Sequence, residues 1–161
     1  YRKALLHMKR KLLPWIFVIL WMTLIFFLSH QPAMESNQLS SGIIKRIYDI
    51  IKMIAPDIRL DLESLNHIIR KLAHFGVYMI LGFLLANGLR YNKKSRINAI
   101  LLALLICILY AISDEIHQIF IPGRSGQVSD VLIDSLGGLV GIVLLDLLRR
   151  RKRREVYQTK V

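Results

Sequence analysis

Cysteine is almost absent. Cys107 is the only one in 161 residues, so no disulfide forms within the chain. Its setting, LLICILY, marks it as a small apolar packing residue. Acid is scarce as well: 11 Asp and Glu stand against 23 Lys and Arg, a net charge of +12. Several chemical signatures are missing from the chain. It has no HExxH and no paired DxD pattern, so no linear metal motif is legible and no metal is expected. It has no nucleotide or coenzyme A loop, so no cofactor is expected either. It has no internal repeat of the kind from which transporters are built.

A soluble protein this basic would point to nucleic acid. Here the basic residues flank apolar blocks: Arg2, Lys3, Lys9, Arg10 and Lys11; Arg90, Lys93, Lys94 and Arg96; Arg149 to Arg151 with Lys152 to Arg154. Such flanks set membrane orientation and meet anionic head groups. Membrane lipids are the expected partners and nucleic acid is set aside.

Apolar residues make up 54% of the chain, with a mean hydropathy of +0.44. They fall in blocks, placing spans at 12–28, 72–89, 97–113 and 131–148. The first block, LLPWIFVILWMTLIFFL, is long enough to cross about 30 Å of hydrocarbon. It is read as a retained helix rather than a cleaved signal, because SHQPAM is a poor cleavage site. Trp15 is expected at its interface. Between the first two spans, Ile43, Ile44, Ile47, Ile50, Ile51 and Ile54 form one stripe opposite Lys45, Arg46, Asp49 and Lys52. That predicts a surface helix over 39–54, capped by Ser40 or Ser41 and ended by Pro56. The expected fold is all-α: an integral membrane bundle of four transmembrane helices plus one extracytoplasmic amphipathic surface helix. Residues 1–11 form a basic cytoplasmic N-terminus, 12–148 the transmembrane domain and 149–161 a basic cytoplasmic tail.

Four spans alternate direction, and all three basic clusters then fall on the cytoplasmic side. The segment SDEIHQIFIPGRSGQVSD (Ser113 to Asp130) faces the exterior. Charged groups this near a bilayer are costly and usually mark a working site. Asp114 and Gln118 share a helix face, His117 lies beside them, and Glu115 points about 100° away. Pro122-Gly123 reads as a turn. Asp130 can cap the fourth helix, with Asp134 one turn deeper on the same face. Ser29, His30 and Gln31 reach the same level, as do Lys71, His74 and Tyr78 at i, i+3 and i+7. The plain alternative is a packing network in which Arg124 pairs with Asp114 or Glu115. The cytoplasmic end offers only basic anchors.

The pieces FFLSHQP, RKLAHFGVYMILG and YAISDEIHQIFIPGRSGQVSDVLIDSLGGLVG resemble the VanZ-like membrane proteins. The family pattern is S-x-Q after the first helix and K-x-x-H-x-x-x-Y in the second. It continues as D-E-x-x-Q-x-x-x-x-x-R-x-x-x-x-x-D-x-x-x-N-x-x-G before and into the fourth. The resemblance carries Ser29, Gln31, Lys71, His74, Tyr78, Asp114, Glu115, Gln118, Arg124, Asp130 and Gly137 into the candidate site. The chain departs at Asp134, where the family often has asparagine, and at His30, where a serine is usual. The resemblance implies a bacterial cytoplasmic membrane and a role at the cell envelope, since the family takes its name from teicoplanin resistance. Some relatives carry an acyltransferase-like label, which nothing in this sequence supports.

Two functions stand first. One is recognition of an anionic outer-leaflet molecule, a polyprenyl-linked cell-wall precursor or a lipoglycopeptide. Arg124 and Lys71 would neutralise its charge, and Ser29, Gln31, His74, Tyr78, Gln118 and Asp130 would shape the pocket. The other is an intramembrane hydrolase or transferase with Asp114 or Glu115 as base and His74 or His117 as acid. Ser113, Ser125 and Ser129 are ordinary loop serines, so no nucleophile is evident. A transporter would need more helices, hence an oligomer; the oligomeric state stays open.

Overall fold

The computed structural model describes residues 2–54, 61–91 and 95–158. These form helices and short turns: α1 (Arg2–Ser29), α2 (Ala33–Ile54), α3 (Leu62–Tyr91), α4 (Arg96–Gln118) and α5 (Val128–Gln158). Four of them, α1, α3, α4 and α5, are long and apolar enough to cross a membrane. The all-helical membrane bundle expected from the sequence is the fold observed.

Helix α3 is the hub, touching each of the other four, and its broadest contact is with α5. Glycine makes that approach possible. A methyl group on Gly137, Gly141 or Gly82 would run into the backbone of Phe75, Met79 or Gly138 respectively. Helices in lipid gain little from burying large apolar groups, so they associate where small residues let backbones meet. Helix α4 follows the same rule. Ala99, Ala103, Cys107 and Ala111 are fully buried, while Leu101, Leu105, Leu109 and Ile116 face outward. The pattern is the inverse of a water-soluble helix, with bulk on the outside for the hydrocarbon.

The element boundaries differ from the sequence reading in several places. Helix α2 begins at Ala33, so Ser40 and Ser41 lie inside it rather than at its cap. Pro56, expected to end it, and Lys93 and Lys94 of the basic loop lie outside the described residues. Helix α5 begins at Val128, which puts Asp130 in its first turn instead of at its cap. The Trp15 ring lines the space beside Gly88 of α3, a contact that leaves its expected depth at the interface untouched. Asp61 caps α3, its carboxylate accepting from the backbone N–H groups of Glu63 and Ser64.

The two ends of the bundle are unlike. At the end bearing the basic clusters, buried Asp146 of α5 accepts from Arg90, Arg96 and Arg150 at 2.8–2.9 Å. The sequence reading put only basic anchors there. The signal it passed over was an acid inside LVGIVLLDLL with an arginine four residues on.

Candidate functional site

The opposite end gathers polar side chains from α1, α3, α4 and α5. Asp114 and Glu115 are adjacent on α4, and Gln118 bridges them. Its amide lies 3.4 Å from Asp114 Oδ2 and 3.3 Å from Glu115 Oε1. All three are buried. The 100° expected between the two acids is real, but α4 is wrapped on more than one side here, so both carboxylates stay inside. Ser29, the last residue of α1, donates to Asp114 Oδ2 at 2.8 Å. Glu115 Oε2 accepts from the backbone N–H of Gln127, just before α5. Glu115 thus does at the start of α5 what Asp130 was expected to do. Asp130 itself accepts from Ser129.

Asp134 lies one turn below Asp130 and is fully buried. His74 of α3 meets it, with Nδ1 3.3 Å from Oδ1 and 3.4 Å from Oδ2, and hydrogen-bonds the latter. The residue that departs from the VanZ-like pattern is therefore central. Tyr78, one turn along α3 from His74, is also fully buried, and its hydroxyl has no hydrogen-bond partner among the described residues. Asp114 and Asp134 both lie within electrostatic reach of that hydroxyl.

Arg124 does not make the carboxylate pair that the packing alternative gave it. Its guanidinium donates to the backbone carbonyls of Gln31 (2.8 Å) and Leu28 (3.2 Å) and to Gln118 Oε1 (3.3 Å). It ties the α4–α5 loop to the end of α1, where orphan carbonyls and the helix dipole favour a cation. It forms no ion pair with Asp114 or Glu115, although both lie within electrostatic reach. Burial and the nearby Arg70 guanidinium lower its pKa from the ordinary arginine value, and the two acids oppose them. Gln31 contributes through its backbone.

The loop geometry aims Arg124. Its own N–H closes a turn on Ile121 C=O at 3.1 Å, and Gly123 supplies the positive φ of 74° such a turn needs. Pro122-Gly123 is thus the turn the sequence announced. Lys71 is exposed beside this end. His117 hydrogen-bonds neither acid among the described residues: it stacks with His30, its Nε2 3.2 Å from His30 Nδ1, and tilts against Phe26, while staying within electrostatic reach of Asp114.

The structure therefore brings together Ser29, His74, Tyr78, Asp114, Glu115 and Gln118, with Arg124 and the Gln31 backbone beside them. It adds Asp134 and sets Lys71 and Asp130 at the margin.

Fold and site define a class: a polytopic α-helical membrane protein with a histidine–carboxylate cluster buried at one end of its bundle. A family model described as VanZ/LLP1 matches residues 14–149, most of the chain, and the protein belongs to this family. No curated protein and no solved structure matches it.

Proposed function

We propose that this VanZ-family protein recognises an anionic cell-envelope molecule, a lipid-linked precursor or a lipoglycopeptide, at the end of the bundle that holds the cluster. One observation carries the reading: four spans each place polar groups at that end, several of them buried titratable groups. Groups of this kind near a bilayer are costly and are retained where they work. Arg70, Lys71 and Arg124 surround the acids with cations suited to phosphate or carboxylate. The opposite end bears the basic flanks, which the positive-inside rule assigns to the cytoplasm, so the site faces outward. A part in glycopeptide resistance is consistent with the family name, because a protein holding the drug or its lipid-linked target would blunt the encounter between them.

The test is equilibrium binding of fluorescent teicoplanin and of labelled polyprenyl-linked precursor to the full chain in nanodiscs. Lys71→Gln and Arg124→Gln, each shown to insert normally, are expected to weaken capture at least about tenfold, as loss of a charge-assisted contact does. Unchanged affinity in both would overturn the reading.

A second reading rests on the bond from Ser29 to Asp114. A hydroxyl held at 2.8 Å on a carboxylate, with an imidazole nearby, is the arrangement of an activated nucleophile. The chain would then be a hydrolase or transferase on the same lipids, with Asp114 as base and His74 as acid. Lipid profiles of cells expressing wild type and Asp114→Asn at equal levels decide it. A lipid species made or consumed only by the wild type establishes chemistry; identical profiles remove it.

A further inference from the structure

We propose that His74, Asp114, Glu115 and Asp134 form a binding site for one divalent metal ion. The proposal deepens the recognition reading above. Three carboxylates repel an anionic head group, whereas a dication among them would turn the same place into a receptor for phosphate or carboxylate.

The geometry comes first. Each of the four residues offers one ligand atom, and these atoms all lie within 4.8 Å of one another. Donors bound to a common ion at about 2.0–2.2 Å stand about 3.3–3.6 Å apart in a tetrahedral shell, and up to about 4.4 Å when opposite one another. The farthest donors would draw together by roughly 1 Å on binding. The donors come from α3, α4 and α5, so the site is set by the packing of three helices and leaves no motif in the chain.

Two unsatisfied groups point to a ligand. Tyr78 has no exposed surface, and its hydroxyl has no hydrogen bond among the described residues. Asp134 is equally buried, and its Oδ1 makes no hydrogen bond either, with only the ionic contact to His74 Nδ1 at 3.3 Å. A buried hydroxyl or carboxylate oxygen that lacks a hydrogen bond is destabilising, and more so in a membrane. Both groups border one cluster, and a cation with a bound oxygen ligand would engage both.

The surroundings resemble the outer support of a metal site. Ser29 and Gln118 hold Asp114, and Gln118 with the Gln127 N–H holds Glu115. Such bonds orient ligands before the ion arrives. One imidazole with three carboxylates is a donor set for Mn²⁺ or Zn²⁺.

The experiment uses the full chain, stripped with chelator, in nanodiscs of neutral phosphatidylcholine. Mn²⁺ is titrated and followed by electron paramagnetic resonance. The expected result is one saturable Mn²⁺ per chain, displaced by Zn²⁺, with spin-echo modulation from a single imidazole nitrogen that disappears in His74→Gln. Glu115→Gln and Asp134→Asn are expected to weaken binding at least about tenfold. Asp49→Asn, an exposed acid on α2, is expected to change nothing.

A wild type without a site of one ion per chain overturns the proposal, whether or not the variants insert. So does an Asp134→Asn protein that inserts normally and binds Mn²⁺ as tightly as wild type. No envelope ligand is present in the titration, so the two readings fail separately. Precursor capture indifferent to chelator, with no metal bound, sinks the metal site alone. Metal bound without capture sinks recognition alone.

Discussion

Arg124 shows how one residue's identity can be legible and its task hidden. The packing alternative gave it a carboxylate partner, yet its fork reaches two carbonyls at the end of α1 and the side chain of Gln118. Lysine carries the same charge but cannot span three acceptors in one plane. Arg124→Lys is therefore expected to lower stability by about 1–2 kcal/mol, read as a lower midpoint in a thermal unfolding assay in detergent. Asp61 offers a pH test outside the spans. Hydrogen bonds from the Ser64 hydroxyl, then from the Glu63 and Ser64 backbone N–H groups, hold its carboxyl below the ordinary value of 3.8. A depressed carboxyl stabilises the fold above its unfolded value, and the contribution fades as pH falls through the folded one. Wild type should therefore exceed Asp61→Ala in midpoint at neutral pH, and the gap should narrow below pH 3.8. A gap unchanged at acid pH would show that the charge is not what caps α3.

Helix pairs carry the next set of expectations. The α3–α5 contact depends on glycine where backbone meets backbone. A methyl group on Gly141 collides with the Met79 carbonyl, whereas one on Gly76 of α3 meets nothing within 4 Å. Gly141→Ala is expected to cost roughly 1–3 kcal/mol through overpacking. Gly76→Ala should gain roughly 0.5–1 kcal/mol, because alanine loses less backbone freedom in a helix. Steric-trap or denaturant unfolding in micelles measures both, and equal effects would refute the close crossing. Helices α3, α4 and α5 also meet at Asp146, where three arginines share one buried carboxylate. Arg96 and Arg150 are about half exposed, so solvent weakens their share. Asp146→Asn is expected to cost roughly 1–3 kcal/mol, less than a fully buried pair would. A double-mutant cycle with Arg90, the best buried partner, checks the pairing.

At the scale of the whole molecule the helical bundle carries different chemistry at its two ends. The cluster lies at one end; Asp146 and the basic flanks lie at the other. The proposed orientation makes a direct prediction. Cys107 is buried, so a single introduced cysteine reports alone. In intact cells a membrane-impermeant maleimide should label Gln127→Cys. It should label Lys152→Cys only after permeabilisation. The reverse pattern would put the site in the cytoplasm and exclude an outer-leaflet ligand.

The spans and the amphipathic helix were legible because they depend on local quantities. Run length against bilayer thickness and the helical period are both properties of neighbouring residues. Ser29, His74, Asp114 and Gln118 were legible as a set, because alternation of spans brings them to one membrane end. The order of contacts inside that set was not. Whether Glu115 turns inward, whether His117 joins Asp114 or stacks on His30, and whether Arg124 meets an acid or a carbonyl depend on how α1, α3 and α5 surround α4. Asp134 stood in the sequence as an oddity, an acid where related chains often carry an amide. Only the approach of α3 to α5 seats it against His74 and beside Tyr78. Sequence determined which groups reach this depth, because helix rise and span direction set depth. Tertiary packing decided which of them touch, because close contact between helices is set by side-chain shape across elements far apart in the chain.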